Sequence, residues 1–299
     1  MTLPFAALAL LWFVGCGPRS SGTPAPSATA QRWSGPPRPS PAETPPPKPP
    51  LQVRIGETEG IAYLESVLGD AREGDALPMV IAVHGVGYRP RIPEDDMLTW
   101  TQKMRLIVPR APLSHQGGYA WFLQRFSDKN PDALAKGIAS AALGLGRAIA
   151  AWTRQYPTQG RPILLGFSQG GMLTLSLALH QPQLLSVALP LASHLPPPLF
   201  PTERPRETPR IVSMHSRDDR VIPIEPARAT FAALSAQGWS VEFREFDGAG
   251  HEMSEAMKAM LKTWVDEAAA SQAKEKLQQV VFRPDSLLER LAGKLPFPP

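Results

Sequence analysis

From Leu51 onward, short apolar runs alternate with longer stretches that are apolar on one face only. Met79 to Val83 is continuously apolar, the mark of a strand covered on both faces. Arg105 to Val108, Pro162 to Gly166, Leu185 to Leu191 and Ile211 to Met214 read the same way, and Trp239 to Phe246 is apolar at alternate positions. Gln52 to Ile55 and Ile61 to Leu64 flank Gly56-Glu57-Thr58-Glu59-Gly60 and predict an opening hairpin. Helices are expected over Glu94 to Lys103, Pro131 to Gln155, Gln169 to His180, Ile224 to Gln237 and His251 to Ala270. Strand and helix in regular succession predict an α/β fold, a mostly parallel central sheet with helices on both faces. The tail from Ser271 to Pro299 breaks the rhythm. Lys274 to Val281 and Ser286 to Leu291 read there as short amphipathic helices on a surface appendage.

The first sixth of the chain follows a different rule. Leu3 to Val14 is an apolar run of signal-peptide length, too short for a membrane span, and it ends in Gly15-Cys16-Gly17. Phe13-Val14-Gly15-Cys16 resembles a bacterial lipobox, in which cleavage precedes a cysteine that then carries lipid; the alternative is an ordinary signal peptide with an incidental cysteine. About a dozen of the chain's 35 prolines lie between Cys16 and Pro50. A segment so poor in large apolar residues builds no core and reads as an extended tether. The expected organisation is a signal peptide over 1–15, a lipidated Cys16 with a Pro-rich linker to 50, a catalytic domain over 51–270 and an extension over 271–299. Export with a lipid anchor follows, at the outer membrane, in the periplasm or on the cell surface.

Charge excludes little and adds little. The net charge of +4 is mild for 299 residues. The arginines are scattered (Arg72, Arg89, Arg105, Arg125, Arg147, Arg217), with no basic stripe of the kind nucleic-acid binding needs. Cys16 is the single cysteine, so no internal disulfide and no thiolate metal site is available.

The sharpest chemical signal is Gly166-Phe167-Ser168-Gln169-Gly170-Gly171, a G-x-S-x-G string between an expected buried strand and an expected helix. A strand that reverses sharply into a helix exposes the serine at strained backbone angles. Side chains two residues away would collide with neighbouring elements, and glycine removes them. Where such an elbow occurs, the chain order is nucleophile, acid, base. His251, in the glycine-loosened Asp247-Gly248-Ala249-Gly250-His251, alone leaves room for two strands and an acid after Ser168. His180 and His194 lie too close, and His215 ends a strand beside the acid candidates and reads as structural. Arg217-Asp218-Asp219-Arg220 offers two aspartates. One must accept the imidazole N–H and fix its tautomer, and the other can cap the turn. An oxyanion hole needs two backbone amides, here Gln169 after the nucleophile and Val86 in His84-Gly85-Val86-Gly87. No metal or organic cofactor is called for.

These segments together resemble the carboxylesterase/phospholipase group of α/β-hydrolases, which includes acyl-protein thioesterases. The resemblance runs from about Pro78 to Trp264. It rests on His84-Gly85-x-Gly87, Val108-Pro109-Arg110-Ala111-Pro112, Trp121-Phe122, the elbow, Leu191-Ala192-Ser193-x-Leu195-Pro196, Asp219-x-Val221-x-Pro223 and Gly250-His251. It implies an α/β-hydrolase fold and a Ser168, Asp219, His251 triad, since the family's acid directly precedes the x-V-x-P string. It also places Leu195 in the substrate pocket, and it leaves Trp121 either in the pocket wall or in ordinary core packing. Tyr88-Arg89-Pro90-Arg91 and Ala192-Ser193 depart from the family pattern beside that pocket. The substrate is therefore an ester or thioester of open acyl length and leaving group. The rival class is a surface-binding lipoprotein that keeps the fold without turnover.

Overall fold

The computed structural model describes residues 51–92, 100, 102–274 and 286–292. The leader with Cys16 lies outside them, as do all or most of the helices expected over Glu94 to Lys103 and Lys274 to Val281. Ten strands are described: β1 (Arg54–Thr58), β2 (Ile61–Leu68), β3 (Leu77–Val83), β4 (Met104–Pro109), β5 (Leu113–His115), β6 (Gly118–Ala120), β7 (Thr158–Phe167), β8 (Val187–Leu191), β9 (Arg210–Ser216) and β10 (Val241–Phe246). The helices are α1 (Pro131–Gln155), α2 (Gln169–His180), α3 (Ile224–Ala236), α4 (Glu255–Gln272) and α5 (Ser286–Ala292).

Eight strands form one sheet in the order β1-β2-β4-β3-β7-β8-β9-β10. The hairpin β1–β2 and the β2–β4 pair are antiparallel, and every pair from β4 through β3 to β10 is parallel. Side chains alternate across it into two apolar layers. Met79, Ile81 and Val83 point into a layer covered by α1, α2 and α3, whereas Val80, Ile163 and Val212 point into one covered by α4. Helix α1 is long and apolar enough to cross a membrane, yet 72% of its apolar window is buried inside the protein, as suits a core helix.

Two expected elements are redrawn and one element is new. The opening turn is shorter than the Gly56-to-Gly60 string: only Glu59 and Gly60 turn, at φ 53° and 72°, a pair of positive values that matches the right-handed twist of a hairpin. Gly56 stays in the strand because the Tyr63 ring lies over it; a Cβ there would sit 2.5 Å from the ring. Helix α4 starts at Glu255 and not at His251, because the Ser254 hydroxyl caps the Met257 amide and Gly248 and Gly250 adopt positive φ just before it. The small hairpin β5–β6 has no apolar run to announce it. It turns at Gln116-Gly117 and is tied down by the Gly87 amide donating to the Tyr119 carbonyl at 2.8 Å.

Candidate active site

Strands β3 and β7 lie side by side at the centre of the sheet, where the chain's direction of winding reverses. Crevices at the carboxyl ends of such strands are where parallel sheets bind ligands. Ser168 follows β7 at φ 56° and ψ −115°, outside the usual regions for a residue with a side chain. Its amide donates to the Leu191 carbonyl of β8 at 3.0 Å, which holds the turn shut. The surrounding glycines have no room for more. A Cβ on Gly166 would lie 2.2 Å from the Gly170 carbonyl oxygen, and one on Gly170 would lie 2.1 Å from that of Val83. The strain is therefore enforced by close packing of three backbone segments.

His251 reaches Ser168 from the loop between β10 and α4. Its Nε2 stands 2.9 Å from Ser168 Oγ, and its Nδ1 stands 2.7 Å from Asp219 Oδ2. A carboxylate only accepts, so Nδ1 carries the proton and Nε2 is left to accept from the serine hydroxyl. The loop is fixed by the other aspartate: Asp218 Oδ2 accepts the Gly248 amide. Asp219 is 5% exposed. Its Oδ1 takes the Val221 and Ile222 amides, both at 2.9 Å. Burial by itself would raise its pKa, but the hydrogen bonds from His215, His251 and the Ile222 amide outweigh it and hold the carboxyl well below the usual range.

The loop after β3 closes the other side. His84 donates from Nδ1 to the Gly85 carbonyl at 2.6 Å and accepts the Ala111 amide on Nε2 at 3.1 Å, so it is a neutral brace. Burial lowers its pKa in keeping with that. Gly85 packs on Ser168 itself, 3.2 Å from Ser168 Cβ to the position of an added Cβ. Among the described residues, neither the Val86 nor the Gln169 amide is taken up by a protein acceptor, and both residues line the cavity that contains Ser168.

That cavity measures about 370 Å³. Phe122, Leu123, Phe126, Leu134 and Met172 give it an apolar side, and Arg125 and Arg220 stand on its wall without any carboxylate. A second, mostly apolar cavity of about 300 Å³ lies behind it, and Arg125, Phe126 and Leu134 line both. The Phe126 ring stands edge-on to His194 at 4.9 Å between centroids.

Of the residues expected from sequence, Ser168, Asp219 and His251 come together with Gln169 and Val86. Trp121 does not line the cavity that contains Ser168. It is 3% exposed, and its indole N–H donates to the His84 carbonyl at 3.0 Å, so it supports the loop from behind. Leu195 lines the second cavity only. Sequence reasoning misses the Gln169 side chain, which accepts the Trp121 amide at 3.0 Å and donates to the Phe122 carbonyl at 2.8 Å. It also misses the Arg125-Phe126 partition, for which no periodicity gives a signal. Among the described residues, no group of three or more His, Cys, Asp or Glu is arranged to hold a metal ion.

Comparison with known proteins follows the geometry. The Phospholipase/Carboxylesterase family matches residues 70–268. A probable carboxylesterase of Oryza sativa subsp. japonica is 36% identical over 115 residues, 37% of this chain and 43% of that protein. Carboxylesterase SOBER1 of Arabidopsis thaliana is 32% identical over 107 residues, 34% of this chain and 46% of that protein. The alignments thus span less than half the length of these relatives. Among solved structures, esterase PE8 superposes with a TM-score of 0.59 at 22% identity, covering 67% of this chain and 98% of its own. Zea mays acyl-protein thioesterase 2 superposes with a TM-score of 0.54 at 21% identity, covering 68% and 97%. At such identities the superpositions establish the α/β-hydrolase fold.

Proposed function

Since the chain belongs to the Phospholipase/Carboxylesterase family, we propose that it is a serine hydrolase that cleaves carboxylic esters or thioesters through an acyl-enzyme. The observation that carries this reading is the continuous relay from Ser168 Oγ through His251 to Asp219, with contacts of 2.9 and 2.7 Å. In the first half-reaction His251 Nε2 takes the Ser168 proton while Oγ adds to the carbonyl carbon. The oxyanion turns toward the Val86 and Gln169 amides, whose fixed dipoles stabilise charge that exists only in the transition state. The imidazolium, held by anionic Asp219, then returns the proton to the departing alcohol or thiol. Water, deprotonated by the same imidazole, releases the acid and restores the hydroxyl. The apolar side of the cavity, from Phe122 to Met172, accommodates the acyl group.

A fluorophosphonate probe is expected to label Ser168, and Ser168→Ala to abolish labelling and ester turnover together. Labelling that persists in the variant would reject the assignment. We further propose that lipidated Cys16 and the Pro-rich linker tether this domain at a membrane outside the cytoplasm. The support is the lipobox-like Phe13-Val14-Gly15-Cys16. Metabolic labelling with a radioactive fatty acid, lost in Cys16→Ala, tests it.

A further inference from the structure

We infer that His215 is a positioning residue for the acid, gripping Asp219 through a second imidazole N–H; this rests on the triad reading above. His215 is the penultimate residue of β9 and is 0% exposed. Two oxygens face its Nε2: the Ile222 carbonyl at 2.8 Å and Asp219 Oδ2 at 3.2 Å. Neither oxygen donates, so the proton sits on Nε2 and is shared between them. Nδ1 is buried without a partner among the described residues. The charged and titratable groups around it are Asp219 on the following turn, His251 across the shared Oδ2, and His194 after β8, which senses it electrostatically.

The consequence lies in which oxygen each donor holds. Oδ1 is fixed by the Val221 and Ile222 amides. Oδ2 meets His251, the very group that the acid must orient. Without His215, Oδ2 would have no side-chain donor but the moving base. With it, the carboxylate plane is set by the β9 frame before His251 arrives, and it stays set while His251 shuttles protons. The Ile222 carbonyl joins the same N–H to the turn whose residues Val221 and Ile222 wall the catalytic cavity. One buried donor therefore ties together the acid and the cavity rim.

The test uses the full chain with p-nitrophenyl butyrate. His215→Gln returns an N–H near the Nε2 position, and His215→Phe fills the ring volume without a donor. A hydrogen bond to a charged group is worth enough to predict a fall in kcat of about 10- to 100-fold for the Phe variant. KM should change by less than about twofold, and the Gln variant should recover to within about threefold of wild type. A proton spectrum gives a readout independent of turnover: a low-field resonance of the His251–Asp219 hydrogen bond is expected in the wild type and in Ser168→Ala, and it should broaden or vanish in His215→Phe. Should that variant fail to fold, His215→Asn, too short to reach Oδ2, takes its place with the same expected losses. Wild-type kcat with a retained resonance overturns the inference, and so does equal loss in the Gln and Phe variants. Ester turnover that survives Ser168→Ala overturns the catalytic reading instead, and the resonance still reports on His215.

Discussion

Replacing Phe126 by alanine should lengthen the acyl chain that the protein prefers. The two cavities, about 370 and 300 Å³, share a wall made by Arg125, Phe126 and Leu134. Arg125 is exposed and Leu134 belongs to the packed core, so the half-buried Phe126 ring is the movable part of the partition. Each methylene moved from water into an apolar cavity is worth about 0.8 kcal/mol. Spent in the transition state, that is about a fourfold rise in kcat/KM per added carbon. The wild type should climb at this slope along a series of p-nitrophenyl esters and then stop, where the chain meets the ring. In Phe126→Ala the joined space lets the climb continue, so an ester two carbons past the wild-type optimum should gain about 15-fold. Loss of the ring also removes its edge contact with His194, and a lower melting temperature is expected alongside. If the optimum stays at the same acyl length while the variant remains folded, the partition does not set the length and the reasoning fails.

The remaining expectations concern the machinery and its stability. Asp219→Asn should keep the fold but cut kcat by about 10⁴-fold, because an amide at that position favours the wrong imidazole tautomer; burst and steady-state kinetics on a soluble ester would show it. Gly170→Ala should destabilise by about 1–3 kcal/mol in urea melts, since its Cβ would lie 2.1 Å from the Val83 carbonyl oxygen and backbone cannot give way cheaply. His194 is pushed from 6.5 down to about 4, chiefly by burial. Between those values the unfolded chain binds a proton that the folded one refuses, so stability falls as pH drops through that window, by about 3 kcal/mol in all. His84 acts in the same direction, so His194→Phe should flatten the dependence of the urea midpoint on pH without abolishing it.

How far the sequence could be read depended on how local each signal was. Helices α1 and α2 were legible to the residue, because Asn130 caps before Pro131 and the elbow dictates where Gln169 begins. Ser168 and His251 were legible because the elbow's glycines and the loosened Gly248-Ala249-Gly250 leave a local trace of a backbone requirement. Asp219 against Asp218 was not decidable from periodicity, and the structure shows why: both are used. One faces His251 and the other holds the Gly248 amide of the same loop. Trp121 illustrates the opposite case. A tryptophan near the site reads equally as pocket wall or core packing, and what decides between them is an indole N–H with a buried carbonyl to satisfy, a requirement set by a residue 37 positions away.

What stays illegible is the cost the fold accepts to build this corner. Ser168 sits at a positive φ, a strain of roughly 1–3 kcal/mol. Nearby, Ser193 Oγ, His194 Nε2 and His215 Nδ1 are buried without partners among the described residues, in a protein interior where such atoms are normally paired. None of this is needed to hold the sheet, whose central strand β3 is apolar throughout and whose neighbour β7 carries no polar side chain from Pro162 to Phe167. Ser193 and His194 follow β8 and His215 lies on β9, and other such atoms, on Arg105, Trp152, Gln159, Ser176, Asp266 and Gln272, are spread through the rest of the described residues. What sets this corner apart is that unmet polarity there coincides with the strained Ser168 and the buried Asp219, as a fold shows when position matters more than stability. By that reasoning a variant selected only for thermal stability should lose such polar groups wherever they lie, and its turnover should fall as its melting temperature rises when the loss is at residue 215.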